Sequence, residues 1–276
     1  MGFLRKILDF YLQASFHVAL SCTSLVLVTR QMFGLDGRSF IPHFVFFGTV
    51  AGYNFVKYDA LARTAARRPT RRVKVIAGLS AASLCASGYF FLQLERDTQL
   101  ACLVFAALTV LYTLPFFPNR KNARNWAGVK IYIVSLCWAG VTVLLPVMDA
   151  DGLSHHFAEW DVYLKFIQRF VLVFVLVLIF EIIDLAKDDP HLQTVPQQIG
   201  VNRTKILGVL LLVPFYLLEL LQQRVDAARL WVNLVMVMVL LLFLVFANKS
   251  KSRYYSAFWV ESIPILWWGL TVLLGG

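Results

Sequence analysis

The chain has 276 residues, of which 59% are apolar or aromatic and only 15% charged, and its mean hydropathy is +0.69. A soluble domain carries about 25% charged residues, so this composition excludes a water-soluble globule, and the lack of any long polar stretch excludes large-scale disorder. The net charge of +10 is read from its distribution along the chain.

A helix that spans a bilayer needs about 20 mostly apolar residues. Nine runs are candidates: 10–28, 41–55, 73–92, 99–116, 128–148, 162–185, 205–221, 230–246 and 257–274. Helix is the state expected for them, because lipid offers nothing to the backbone polar groups. The second and fourth runs are short, so neighbours are expected to bury them in part. Arg5 and Lys6 before the first run resemble the start of a signal peptide, but no small-residue cleavage site follows, and a retained span is expected. Cys22, Cys85, Cys102 and Cys137 lie inside apolar stretches and read as small hydrophobes. The expected architecture is all-α: a single domain over 1–276, folded as a polytopic membrane bundle of about nine transmembrane helices.

Basic residues crowd the even-to-odd connections. Lys57, Arg63, Arg67, Arg68, Arg71, Arg72 and Lys74 follow span two; Arg120, Lys121, Arg124 and Lys130 follow span four; Lys249, Lys251 and Arg253 follow span eight. The alternate connections carry Asp149, Asp151, Glu159 and Asp161. The positive-inside rule then puts the N-terminus in the cytoplasm and the C-terminus on the opposite side, in the inner membrane if the cell is bacterial. This bias explains the +10, and no nucleic-acid partner is expected.

Several polar residues interrupt this pattern at the cytoplasmic ends. Glu181, Asp184 and Asp188 close span six at i, i+3 and i+7, within roughly 60° on one helical face. Three like charges repel, and they oppose the helix dipole at a C-terminus; a hard cation such as Mg²⁺ offsets both through carboxylate oxygens. Asn54, Lys57 and Tyr58 share a face at the end of span two, where an interfacial belt and a ligand site both fit. After span four, Tyr112, Pro115 and Pro118 lead into Arg120, Lys121 and Arg124, which suit phosphate oxygens and membrane anchoring equally. Gln13 and His17 are i, i+4 on one face of span one, with His17 expected to be structural. Glu261 lies inside span nine and needs a partner or water. Together these residues predict a polar cavity open to the cytosol.

The chain resembles the UbiA superfamily of intramembrane prenyltransferases over nearly its whole length, in helix number and motif order. The segment EIIDLAKDDPHLQTVPQQIG, from Glu181 to Gly200, is similar to the family's second acidic motif, with Thr194, Pro196 and Gly200 matching its T-x-P-x-x-x-G run. The resemblance implies that Asp184 and Asp188 are Mg²⁺ ligands and catalytic, with Glu181 and Asn54 beside them on the metal. The segment LYTLPFFPNRKNARN is similar to the family's Tyr-Pro-basic loop, which implies that Tyr112, Arg120, Lys121 and Arg124 bind a prenyl diphosphate or another isoprenoid lipid, with Lys121 or a neighbouring arginine holding diphosphate oxygens. The first motif departs from the family: Asn54 is followed by Tyr58 and Ala62 in place of aspartates, and Lys57 appears. Three readings stand open: Lys57 neutralises diphosphate in place of one Mg²⁺, Glu261 returns a carboxylate to a substrate-binding cavity, or the protein only binds a lipid. The expected activity is Mg²⁺-assisted transfer of an isoprenyl group to an unknown acceptor. The alternatives are an inactive protein of the same fold that binds a lipid or quinone, and a transporter using the acids as a cation relay.

Overall fold

The computed structural model describes residues 2–35, 37–63, 70–113, 128–151, 160–186, 188, 192–223 and 225–274. Helices run in chain order: α1 (Gly2–Gln13), α2 (Phe16–Met32), α3 (Ile41–Arg63), α4 (Arg71–Phe91), α5 (Arg96–Thr113) and α6 (Val129–Ala139). A π-helical segment, Gly140–Leu144, joins α6 to α7 (Leu145–Asp151). Then come α8 (Trp160–Asp184), α9 (Val195–Ile199), α10 (Val201–Leu220), α11 (Ala227–Phe246), a second π segment (Tyr255–Val260) and α12 (Ile263–Leu274). The described residues contain no strand.

Among the described residues, six helices are long and apolar enough to cross a membrane, and α1 with α2 makes a seventh if a bent pair counts as one span. The α3 and α5 helices, at 23 and 18 residues, occupy the second and fourth runs. The protein is an all-helical membrane protein.

The first span is not the straight helix that 10–28 implied. Its axis turns by 58° between α1 and α2. Ser15 stands in the left-handed region at φ 60°, a conformation that costs a non-glycine residue free energy. The break also parts Gln13 from His17, so the face they were expected to share does not exist.

The centre of the bundle is α8, whose Leu172, Val175, Ile179 and Ile182 are fully buried against α2, α10, α11 and α12. Its apolar character all round is what burial on every side requires. Close approach elsewhere depends on small residues. A Cβ on Gly140 would stand 1.9 Å from Cζ of Phe105, so α5 lays that ring directly on the π segment. Short polar caps start the helices: Thr70 Oγ1 accepts from Val73 N at 3.4 Å, and Asp226 Oδ1 from Ala228 N at 3.0 Å.

Acidic residues of the odd-to-even connections gather one end of the bundle. Asp149 accepts from Ser39 Oγ at 2.9 Å and from Glu95 N at 3.4 Å. Asp161 accepts from Gln223 N at 3.0 Å, and Arg229 donates to Met32 O at 2.9 Å. The other end carries α1 and the C-termini of α3 and α8.

Candidate active site at the α3, α8 and α12 end

Regular helical bonding stops at the bend after α1: Leu12 O keeps only a backbone bond, from Ser15 N at 3.3 Å, and the carbonyls of the junction are left to other donors. Three residues of α3 take them. Asn54 Nδ2 donates to Ala14 O at 3.1 Å, Tyr58 Oη to Gln13 O at 3.3 Å, and Lys57 Nζ to Leu12 O at 3.3 Å. Their i, i+3, i+4 spacing puts all three on one face, as the sequence indicated. Lys57 also donates to Ser15 Oγ at 3.0 Å, and its charge suits a helix C-terminus. Asn54 is 2% exposed, and its Oδ1 has no hydrogen-bond partner among the described residues. That acceptor is the atom of Asn54 that a cation would take.

Glu261 follows the second π segment and interacts electrostatically with Lys57 and with Tyr11. His17 is fully committed: its Nδ1 meets Tyr11 Oη at 2.9 Å, and its Nε2 meets Phe258 O at 2.9 Å and Ser262 Oγ at 3.0 Å. A carbonyl only accepts, so Nε2 carries the proton and Nδ1 accepts from Tyr11. His17 is structural, as expected.

The acidic stripe divides. Glu181 is 3% exposed, and its Oε2 accepts the backbone N–H of Val195 at 3.1 Å. It also interacts with Lys130 and Asp188. The carboxylate therefore ties the end of α8 to the first residue of α9. The T-x-P-x-x-x-G run builds that short helix. Thr194 is its N-cap in a capping box with Gln197, Pro196 sits in its first turn, and Gly200 at φ 83° links it to α10. Asp188 N donates to Asp184 O at 2.9 Å, so helical bonding continues one turn beyond α8. Asp184 and Asp188 are half-buried and engaged in further interactions. No group of three or more His, Cys, Asp or Glu side chains suited to a metal ion occurs among the described residues. The side chain of Tyr112, and all of Arg120, Lys121 and Arg124, lie outside the described residues.

Sequence reading, fixed on helix ends, missed a second polar group inside the bundle. Lys165 and Glu219 form a fully buried ion pair. The same Glu219 Oε2 accepts from Gln168 at 3.0 Å and Asn233 at 2.6 Å, so α8, α10 and α11 meet on one carboxylate. Arg169 is 1% exposed, donates to Leu25 O at 2.9 Å and lies 4.8 Å over the Trp267 ring, a cation–π arrangement. The signal was present: Lys165, Arg169 and Glu219 are ionisable residues inside apolar runs, Lys165 and Arg169 toward the end of α8 opposite to the acidic stripe.

The sequence matches no family model and no curated protein. The structure is similar to a solved structure of a digeranylgeranylglyceryl phosphate synthase in membranes, with a TM-score of 0.57 and 14% identity over 97% of this chain and 96% of that chain. The likeness shows the fold alone: this chain shares the helical membrane fold of that synthase.

Proposed function

We propose that the chain transfers an isoprenyl group from a prenyl diphosphate to an acceptor, at the end of the bundle where α3, α8 and α12 present Asn54, Lys57, Asp184, Asp188 and Glu261. The observation that carries this reading is the leftover Oδ1 of Asn54, buried with no partner among the described residues, at the same end as the half-buried carboxylates closing α8. Mg²⁺ is commonly held by one or two carboxylates plus substrate phosphates, not by an all-protein cage. Asp184, Asp188 and Asn54 Oδ1 are donors of that kind, and the absence of a three-carboxylate cluster among the described residues is compatible with it. When bound, Mg²⁺ would supply Lewis-acid neutralisation of the diphosphate.

The chain's own residues do the rest. Lys57, with Arg120, Lys121 and Arg124, shares the charge of the departing diphosphate. Tyr112 lines the substrate. Leu12 O and Ser15 Oγ hold Lys57 in place, and Glu261 acts on it through its charge. Glu181 keeps α9 against α8 and so positions Asp184 and Asp188. The allylic C–O bond breaks, the diphosphate leaves with the electron pair, and the apolar body shields the cation from water until the acceptor adds. The basic connections would face the cytoplasm.

A second reading has an observation of its own. Asn54 Nδ2, two contacts of Lys57 and one oxygen of Glu181 serve the fold, as they would in a non-catalytic protein that binds a lipid or quinone. Purified protein in lipid nanodiscs separates the two. Prenyl transfer predicts Mg²⁺-dependent release of diphosphate from farnesyl or longer diphosphates, reduced at least about a hundredfold by Asp184→Ala. Lipid binding that is indifferent to Mg²⁺ and to Asp188→Ala, with no donor turned over, would establish the second reading instead.

A further inference from the structure

The α1 helix is amphipathic and only half of it rests on the bundle. At about 100° per residue, Phe3, Leu4, Ile7, Leu8, Phe10 and Tyr11 fill one arc, and Arg5, Lys6, Asp9 and Gln13 fill the opposite one. From Leu8 to Gln13 the helix is half-buried, and from Gly2 to Ile7 it is exposed. Phe3 and Leu4 are each 76% exposed and Ile7 is 51% exposed. This helix leaves α2 at 58°, so it runs across the end of the bundle and does not continue through it.

Its position and charge specify what covers that face. Lys57, Tyr58 and Asn54 hold its C-terminal carbonyls at the end of α3. Asp9 pairs with Arg253 and accepts from Tyr254 Oη at 2.6 Å, which fixes it to the connection before α12. Arg72, at the start of α4, lies 5.9 Å over the Phe10 ring. The helix is thus held level with the termini of spanning helices, where lipid headgroups lie, and between basic residues on both sides. Its one acid, Asp9, is shared by Arg253, Tyr254 and Arg5, and the exposed Arg5 side chain also donates from Nε to Tyr254 Oη at 3.4 Å.

We propose that α1 is an interfacial helix that recognises an anionic phospholipid surface, with Phe3, Leu4 and Ile7 entering the headgroup–acyl boundary and Arg5 and Lys6 against lipid phosphates. A helix with an apolar arc and basic residues on its polar face lies in the interface plane in this way. The bilayer is favoured over a protein partner because the helix lies level with the ends of spanning helices and its polar face carries Arg5 and Lys6, charge of the sign that anionic lipid attracts. This role is independent of the reaction proposed above.

The test is hydrogen–deuterium exchange of residues 2–9 in nanodiscs holding one copy each, made either of phosphatidylcholine alone or of phosphatidylcholine with phosphatidylglycerol. Each basic residue near an anionic surface favours docking about fivefold. Exchange is expected to slow in anionic discs, and Arg5→Gln with Lys6→Gln to cut the docked-to-free ratio by about thirtyfold. High salt is expected to remove the difference between the two lipids. Phe3→Ser with Leu4→Ser, at exposed positions that leave the core untouched, is expected to abolish protection in both. Equal exchange in detergent and in anionic discs overturns the proposal. So does protection that appears only when several copies share a liposome, which would make a second copy the occupant.

Discussion

Lys57 Nζ donates to the carbonyl oxygen of Leu12 at 3.3 Å, across the bend in the first span. With Asn54 and Tyr58 it gives the end of α1 the acceptors' partners that a continuing helix would have supplied. Asn54 makes its bond in a buried setting, while Lys57 reaches its carbonyl from a more exposed side chain. The two substitutions therefore differ in cost. Asn54→Leu is expected to destabilise the junction by about 1–3 kcal/mol, since it strands the Ala14 carbonyl, and Lys57→Met by about 1 kcal/mol. Faster amide exchange over residues 12–18 reads both, in that order. Unchanged exchange in Asn54→Leu would show that the junction does not depend on α3.

Acid is expected to loosen α1. Asp9 is held below its ordinary value, first by the hydrogen bond from Tyr254 and then by the charge of Arg253. A folded-state value below the unfolded one means that the contact contributes above the ordinary aspartate range. That contribution is lost as pH falls through the folded value. Exchange of residues 2–13, corrected for its intrinsic pH dependence, should rise on acidification below the usual aspartate pKa. Asp9→Asn should remove the trend, and a trend that persists in this variant would assign it to another group.

The Lys165–Glu219 pair predicts a non-additive pair of substitutions. Lys165→Met leaves Glu219 buried with only Gln168 and Asn233 as donors, at a cost of about 3–5 kcal/mol. Lys165→Met combined with Glu219→Gln removes both charges and should recover most of the loss. Thermal unfolding in one detergent, run as a double-mutant cycle, measures the coupling. Simple additivity would mean that the two side chains do not act as a pair.

Gly140→Val tests the contact between α5 and the π segment. The added Cβ meets the Phe105 ring at 1.9 Å, so the ring must leave, at a cost of about 1–3 kcal/mol. Pairing Gly140→Val with Phe105→Ala should restore part of the lost melting temperature. If Gly140→Val alone melts with the parent protein, α5 does not rest on this backbone.

The spans, their alternating charge and the gathering of polar groups at one end were legible because each depends on the residue itself. An apolar run is costly in water, and a carboxylate is costly in lipid, whatever surrounds it. The acidic residues of the odd-to-even connections were legible in sign, and the bonds of Asp149 and Asp161 were not. The i, i+3, i+4 face of Asn54, Lys57 and Tyr58 was also legible, since helical geometry is local. What it faces was not: its partners lie 40 to 45 residues away, beyond a bend set by one left-handed residue.

Amino-acid order alone determined that this is a helical membrane protein, with acids closing α8 and basic connections at one end. Tertiary structure decided which partner each buried acid meets. It committed Glu181 to Val195, and assembled Lys165, Gln168, Glu219 and Asn233 from three helices. The physical reason is that burial is a property of one residue, whereas a hydrogen bond is a property of two, and only packing brings the second one near.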